Sequence, residues 1–303
     1  MPIKLSFVIP AYNEEAVITT TLSAISHYCC LANITHEIIV INNDSTDKTE
    51  EIAKKYTPKV YNIKEGSIGS LRNIGAAKAE HATIVFLDAD ISLTEHWSKH
   101  ITNQLSNIDQ KVIAGSHCSA PDNNSLINKY WFNSFQADSR DTHLGSAHLI
   151  ISKSNFFKLG GFDETLITGE DYEFCQRAQK NGFELLCNQQ LVVIHNDFPE
   201  NILDFTVREW WHGTGDRKNI FGSKIAIASL CFITLHLLLI TTLLTHFNPF
   251  LILAAILLLI ISFSFYKFRQ TNIKTIAINS FISYFYFVGR SLSLICPREK
   301  KVN

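Results

Sequence analysis

The sequence predicts an α/β fold: a mostly parallel sheet flanked by helices, followed by C-terminal membrane helices. Three observations predict it. Short apolar runs alternate with helical periodicity through the first half of the chain. Carboxylates stand directly after several of those runs, and most of the last 80 or so residues are apolar.

The strand candidates are 5–9, 37–41, 60–63, 83–87, 112–114, 147–151 and 191–194, each bounded by turn residues. Helical patterns over 14–28, 48–56 and 70–80 separate the early ones. Such alternation builds a parallel sheet with helices on both faces, and its ligands bind beyond the carboxyl ends of the strands. Residues 10–14, 42–47 and 88–90 fall at those ends.

From residue 225 to residue 266 the chain has 42 consecutive positions without Asp, Glu, Lys or Arg. One helix of that length would run about 63 Å, twice the roughly 30 Å bilayer core. Asn248-Pro249 lies midway and signals a turn. Two spans are therefore expected, 225–244 and 249–266. A third apolar stretch, 275–296, carries Asn279, Ser283, Tyr286 and Arg290 at helical spacing, which makes one polar stripe. It reads as interfacial or as a third span. Lys267, Arg269 and Lys274 follow the second span, and Arg298, Lys300 and Lys301 follow the third stretch. The link between the first two spans has no formal charge apart from whatever His246 carries. The positive-inside rule puts both basic segments in the cytoplasm. That favours two spans with the third helix along the inner leaflet, Asn279 and Arg290 toward water. The expected organisation is a domain over 1–220 facing the cytoplasm and a multi-pass membrane region over 221–303.

Bulk composition narrows the field. The chain has 303 residues and a formal net charge of −1, which gives no footprint for nucleic acid. Seven cysteines with no C-x-x-C pair point to a reducing compartment and no zinc knuckle. The sequons at Asn33, Asn43 and Asn123 are then silent. The first strand begins within five residues of Met1 with no basic and apolar leader ahead of it, so no signal peptide is expected.

The chemistry lies in the acidic residues. Asp88-Ala89-Asp90 ends an apolar run. Two carboxylates at i and i+2 can converge on one hard cation where the chain bends. Oxygen ligands suit Mg²⁺ or Mn²⁺, which also bridge phosphate oxygens. Asp pairs also occur in ordinary turns. Glu170-Asp171 opens a helix after Gly169. One reading is favourable charge at a helix N-terminus. The other is a general base that takes a proton from an acceptor hydroxyl.

Three motifs stand in order: Ser6-Phe7-Val8-Ile9-Pro10-Ala11-Tyr12-Asn13-Glu14; Arg72-Asn73-x-Gly75 ahead of Phe86-Leu87-Asp88-Ala89-Asp90; and Gly160-Gly161-Phe162-Asp163-Glu164 ahead of Gly169-Glu170-Asp171. In that order they resemble the family-2 glycosyltransferases, from residue 5 to about 200. The resemblance implies a GT-A fold, a nucleotide-diphosphate sugar donor, a divalent cation and inversion at the anomeric carbon. By position it implies that Pro10, Tyr12 and Glu14 hold the nucleotide, with Arg72, Asp88 and Ala89 in the nucleotide-sugar site. Asp88 and Asp90 would face the metal and diphosphate, and Asp171 would be the base. The family's D-D-G-S-T-D segment reads Asn42-Asn43-Asp44-Ser45-Thr46-Asp47 here, so the base-recognising position is Asn43. Its carboxamide oxygen can still accept from a uracil or guanine N–H. His195 either completes the metal shell or is a hydrogen-bonded rim histidine.

Arg208, Trp210, Trp211 and His212 precede the first span, where tryptophans and basic side chains fit the headgroup belt. They are candidates for acceptor or membrane-side contacts with a lipid or lipid-linked acceptor in glycan or glycolipid assembly. The family's processive synthases carry Q-x-x-R-W here and this chain does not, which argues against long-chain polymer synthesis. Residues 122–143 form the loop expected to read the acceptor. A sugar-phosphate nucleotidyltransferase would want a Gly-rich, Arg-containing loop where Pro10-Ala11-Tyr12-Asn13 stands. A non-catalytic nucleotide-sugar-binding membrane protein is the other alternative, yet Asp90 and Asp171 are both present.

Overall fold

Strand β1 (Lys4–Ala11) is buried along nearly its whole length, and its pleat divides the first domain's core. Leu5, Phe7 and Ile9 point to one face and Val8 to the other, as the two-residue period of a strand requires. On the first face they pack with Ile18, Leu22 and Ile25 of helix α1 (Ile18–Leu31). The computed structural model describes residues 3–105, 108, 110–123, 125–134, 144–245, 248–269 and 272–298. His246, Lys300, Lys301 and residues 124 and 135–143 of the expected acceptor loop lie outside them. The chain forms two units, Met1–Pro121 with Ala137–Asp197, and Asp122–Gln136 with Phe198–Asn303.

In the first unit the chain continues through β2 (Thr35–Asn42), α2 (Thr49–Lys54), β3 (Val60–Asn62), α3 (Ile68–Lys78) and β4 (Thr83–Leu87). Then come β5 (Ile91–Leu93), α4 (Glu95–Leu105), β6 (Val112–Gly115), β7 (Cys118–Ser119), β8 (His148–Ser152) and α5 (Lys153–Lys158). Helix α6 (Glu170–Lys180), β9 (Glu184–Cys187) and β10 (Val193–His195) complete it. Seven strands form one sheet in the order β3-β2-β1-β4-β8-β6-β9. It is parallel except at β8, which runs antiparallel to both neighbours. After β1 the chain steps outward to β2 and β3, then returns to place β4 on the other side of β1. The crevice outside the carboxyl ends of β1 and β4 is the switch point where such sheets bind ligands. A small second sheet, β5-β10-β7, pairs His195 with Ile91 and so brings His195 beside Asp90.

Helix α1 starts at Ile18 rather than at Glu14, because the preceding turn is held elsewhere. Asn13 takes φ 54°, a left-handed turn that asparagine tolerates, and the Glu14 amide donates to Thr49 Oγ1 at 2.7 Å. Helix α3 lies close against the sheet at Gly75, where an added Cβ would collide with Val8.

A buried polar group also crosses this core. Trp97 Nε1 donates to His148 Nε2 at 3.0 Å. An indole nitrogen only donates, so the ring proton sits on Nδ1, 2.8 Å from Ser116 Oγ. Ser116 in turn donates to the Leu191 carbonyl at 2.6 Å.

The second unit is helical. It holds a π-helical turn (Asn128–Phe132), α7 (Ile202–His212), a 3₁₀ segment (Gly213–Asn219), α8 (Lys224–Leu244), α9 (Phe250–Phe268) and α10 (Ile273–Ile295). Helices α8 and α9 are long and apolar enough to cross a membrane, each with a mean hydropathy of 2.3, and most of their surface is uncovered. They coincide with the two expected spans. Helix α10 departs from expectation. Its polar stripe does not face water: Asn279 and Ser283 are fully buried, Tyr286 is nearly so, and Arg290 is ion-paired. The exposed large apolar residues are Ile273, Phe281, Leu292 and Ile295. The reason is close packing. Helix α10 lies against α7, α8 and α9, and a Cβ at Gly289 would sit 2.5 Å from the Thr206 carbonyl. Small and polar residues line such helix contacts when the outside is apolar.

Burial pushes the His148 imidazole down from its ordinary 6.5 to about 3, so it is neutral in the folded chain. The unfolded state therefore binds the proton first. His148's contribution is complete above about pH 6.5 and is lost as the pH falls toward 3. The expected loss is up to about 1.4 kcal/mol per pH unit below 6.5. Thermal unfolding at pH 7 and pH 5 should show His148→Gln with a lower Tm at pH 7 and a smaller further drop at pH 5 than the wild type.

Candidate active site

Two loops at the carboxyl ends of β1 and β2 are laced together. The Asn13 amide donates to Ser45 Oγ at 3.0 Å, and Asn13 Oδ1 accepts from the Thr46 amide at 2.9 Å. The Glu15 amide donates to Asp47 Oδ2, and Glu15 Oε2 accepts from the Lys48 amide, each at 3.0 Å. The lacing fixes Pro10, Tyr12 and Glu14 along one rim, where Tyr12 is 36% exposed. The Asn43 amide donates to the Ala11 carbonyl at 2.8 Å. Its side-chain Oδ1 is buried and has no hydrogen-bond partner among the described residues. An acceptor in that condition suits a ligand N–H.

Asp88, Ala89 and Asp90 connect β4 to β5, and they diverge. Ala89 is buried, and its carbonyl accepts from Thr21 Oγ1 at 2.7 Å. Asp88 extends toward α3, where Arg72 Nη2 lies 2.5 Å from its Oδ1. Asp90 turns toward β10, with Oδ2 3.5 Å from His195 Nδ1. Asn196 clamps this turn by donating twice to the Asp90 carbonyl, at 2.8 and 3.0 Å. The sequence reading joined Asp88, Asp90 and His195 in one metal shell. The structure brings together Asp90 and His195, while Arg72 draws Asp88 away. Among the described residues no group of three or more His, Cys, Asp or Glu side chains forms a metal-binding cluster. The Asp90 carboxylate still fits a cation such as Mg²⁺ or Mn²⁺, which can be held by one or two carboxylates with water and substrate phosphates completing its shell.

Arg72 is the hub. Its guanidinium is 3% exposed and bridges Asp88 to Glu170, whose Oε1 lies 2.7 Å from Nη1. Burial opposes the charge, but Asp88 and Glu170 outweigh it and hold Arg72 above its ordinary value. Burial pushes Glu170 up, and Arg72 opposes that rise. The neighbouring Asn73 holds the loop ahead of α6. Its Oδ1 accepts from the Phe162 amide, and its Nδ2 donates to the Phe162 carbonyl and to Glu164, all at 2.9 Å. Gly160, Gly161 and Gly169 make the loop's left-handed turns at φ 87°, 71° and 81°. The Arg-Asn motif and the Gly-Gly-Phe-Asp-Glu motif are thus two halves of one contact, which delivers the start of α6 to the crevice.

Asp171 stands at that start, half-buried. Its Oδ2 accepts from the Ser146 amide at 3.3 Å and its Oδ1 from its neighbour Tyr172's amide at 2.7 Å. Arg72, Asp88, Glu170 and Asp171 thus form one group, and Asp90 and His195 another. Sequence reasoning missed Ser146, which carries no motif, and Glu170's role as the partner of Arg72.

The remaining candidates belong to the helical unit. Trp210 Nε1 donates to the Cys296 carbonyl at 2.6 Å, and Arg298 lies over its ring at 5.2 Å. Arg208 pairs with Glu209 Oε1 at 2.8 Å and packs over Phe132 and Phe198. Glu209 also takes Arg290 on Oε2 at 3.0 Å. Trp211 and His212 are half-buried with ring centroids 4.7 Å apart. Glu209 and its Arg290 partner were not singled out as a pair, because a buried acid among aromatics leaves no sequence mark.

Comparison with known proteins accords with this geometry. Residues 6–165, more than half of the chain, match the family model described as Glycosyl transferase family 2. The chain is 25% identical over 203 residues to Glycosyltransferase AglE of Haloferax volcanii, which covers 63% of this chain and 66% of that one. It is 36% identical over 105 residues to the Minor teichoic acid biosynthesis protein GgaB of Bacillus subtilis, covering 32% of this chain and 11% of that one. The chain thus matches just under two thirds of the first relative's length and a small part of the second's. Among solved structures, the mannosyltransferase PcManGT from Pyrobaculum calidifontis, in complex with GDP-Man and Mn²⁺, matches with a TM-score of 0.67. That match covers 98% of this chain and 88% of that one at 13% identity, a likeness of fold.

Removing the hub should unsettle the site. Arg72→Met leaves Asp88 and Glu170 without their shared cation, and the expected fall in Tm is roughly 5–10 °C. Arg72→Lys should recover only part of it, since an ammonium cannot fork to two carboxylates as a guanidinium does. Thermal unfolding of the full chain in detergent measures both.

Proposed function

The chain belongs to glycosyl transferase family 2, and from that footing we propose that it transfers a sugar, with inversion, from a nucleotide-diphosphate sugar to a membrane-associated, lipid-linked acceptor. One observation carries the reading. Asp88, at the end of β4, and Asp171, at the start of α6, are joined through Arg72, Glu170 and Ser146. A carboxylate for the donor side and one for the acceptor side are what a single displacement needs.

The roles follow from position. Pro10, Tyr12 and Glu14 flank the nucleotide on the β1 rim, and the buried Asn43 Oδ1 accepts an N–H from the nucleobase. Asp88 and Ala89 line the sugar-diphosphate end. Asp171 takes the proton of the acceptor hydroxyl as its oxygen bonds to the anomeric carbon, and the bond from that carbon to the diphosphate oxygen breaks. Asp90 and His195 would hold a divalent cation, Mg²⁺ or Mn²⁺. When bound, it supplies charge neutralisation for the departing diphosphate.

The helical unit supports the acceptor half of the reading. Helices α8 and α9 have the length and hydropathy of spans. Lys267 in the last turn of α9, with Arg269 and Lys274 just beyond it, supports a cytoplasmic location for that end by the positive-inside rule. In this reading Arg208, Trp210, Trp211 and His212, which precede α8 in the chain, would meet the acceptor headgroup at the membrane side. In this reading the cytoplasmic and membrane parts divide near residue 220.

The test is a panel of UDP- and GDP-sugars scored by nucleotide release from the full-length protein. Asp171→Asn should keep donor affinity within about twofold while turnover falls roughly 10²-fold or more. Unchanged turnover would return Asp171 to the role of a helix-start residue. Release should need added Mg²⁺ or Mn²⁺, and Asp90→Asn should lose most of it without loss of folding. Full activity in EDTA would remove the cation from the reading.

A further inference from the structure

Ser146 stands in the turn that leads into β8 and is 3% exposed. It contacts both acids at the start of α6. Its hydroxyl donates to Glu170 Oε1 at 3.1 Å, the same oxygen that Arg72 Nη1 meets at 2.7 Å. Its amide donates to Asp171 Oδ2 at 3.3 Å. The next residue closes a circuit, because the Ala147 carbonyl accepts from the Asp88 amide at 3.3 Å. The circuit runs from the Asp88 carboxylate to Arg72, to Glu170, to Ser146, and through Ala147 back to the Asp88 backbone. Asp171 hangs from it by the Ser146 amide.

A circuit of this kind is a poor device for stability alone. Glu170 is a buried acid beside a second acid and is pushed up by its burial. A well-packed apolar pair would serve folding as well or better. The ion pair and the hydroxyl instead fix direction, since each partner accepts the others at one geometry only. In the turnover proposed above, an error of about 1 Å between base and donor costs on the order of 10²-fold.

We propose that Ser146 and Glu170 are positioning residues: with Arg72 they form a closed frame that sets Asp88, on the diphosphate side, and Asp171, the base, at one separation. The inference rests on the reading of Asp171 as the base. Glu170 touches neither donor nor acceptor in this scheme. It acts on Asp88 through Arg72 and on Asp171 through Ser146.

The experiment uses the full-length protein in detergent, with the UDP- or GDP-sugar that the wild type turns over and water as acceptor. Ser146→Ala deletes the hydroxyl and keeps the amide. It should lower kcat roughly tenfold, with donor KM within about twofold and Tm within a few degrees. Ser146→Thr restores a hydroxyl and should recover kcat to within about threefold. Glu170→Gln keeps the shape but leaves Arg72 to Asp88 alone, so kcat should fall and donor KM rise several-fold. The double variant should be no worse than Glu170→Gln, because both changes cut the same frame. Wild-type kcat in Ser146→Ala, or losses that multiply in the double variant, would overturn the proposal. Should Glu170→Gln fail to fold, the Ala and Thr pair at Ser146 decides by itself. An inactive Asp171→Asn beside a fully active Ser146→Ala defeats the frame and spares the base. A fully active Asp171→Asn defeats both.

Discussion

A guanidinium buried to 3% exposure constrains everything around it. Desolvating that charge costs several kcal/mol unless carboxylates answer it in good geometry. Arg72 receives two, and they come from distant parts of the chain: Asp88 at the end of β4 and Glu170 at the start of α6. A planar fork can serve both at once, which an ammonium cannot. The consequence reaches beyond the pair. Helix α3 must lie close enough to the sheet to deliver Arg72, and it does so at Gly75, where a side chain would strike Val8. The loop ahead of α6 must arrive in register, and Asn73, the next residue of α3, holds it by Phe162 and Glu164. One turn of one helix thereby places both sides of the crevice.

The helical unit meets the opposite constraint with related means. Its exterior is apolar over α8 and α9, and its buried charge is answered from within the unit. Glu209 is 3% exposed and is answered by Arg208 from its own helix and by Arg290 from α10. Gly289 lets α10 approach the α7 backbone closely enough for Arg290 to reach. A stripe of polar residues on an apolar helix has two solutions, out toward water or in toward partners. Here the stripe turns inward: Glu209 of α7 answers Arg290, while Asn279 and Ser283 are packed with no side-chain hydrogen bond among the described residues.

That choice marks where sequence stops being readable. Period-two and period-3.6 patterns report which residues share a face, and they located the main strands, α3 and both long apolar helices. They do not report which face is covered, so Asn279 and Arg290 were placed toward water when their stripe is the packed one. Strands of two to four residues such as β5, β7 and β9 are too short to show a period, yet the pairing of β10 with β5 is what carries His195 to Asp90. The motifs singled out the acids and left their partners open. Asp88 and Asp90 look equivalent at i and i+2, but Arg72 takes one and leaves the other to His195. Ser146 had no signal, because a serine in a turn is among the commonest residues of any chain.

The adjacent acids of α6 show how environment divides labour between like groups. Both can in principle take a proton. Glu170 is 5% exposed, and its Oε1 is committed to Arg72 and to Ser146. A substrate hydroxyl reaching it would have to displace a buried ion pair and leave Arg72 half-answered. Asp171 is half-buried, and among the described residues its oxygens accept from backbone amides. Amides orient a carboxylate without neutralising it, and each oxygen keeps a second lone pair for a substrate. Burying Glu170 therefore does for Asp171 what a second exposed acid could not. It fixes the neighbouring backbone through Ser146, keeps its own charge answered by Arg72, and leaves one carboxylate of the two both held and available.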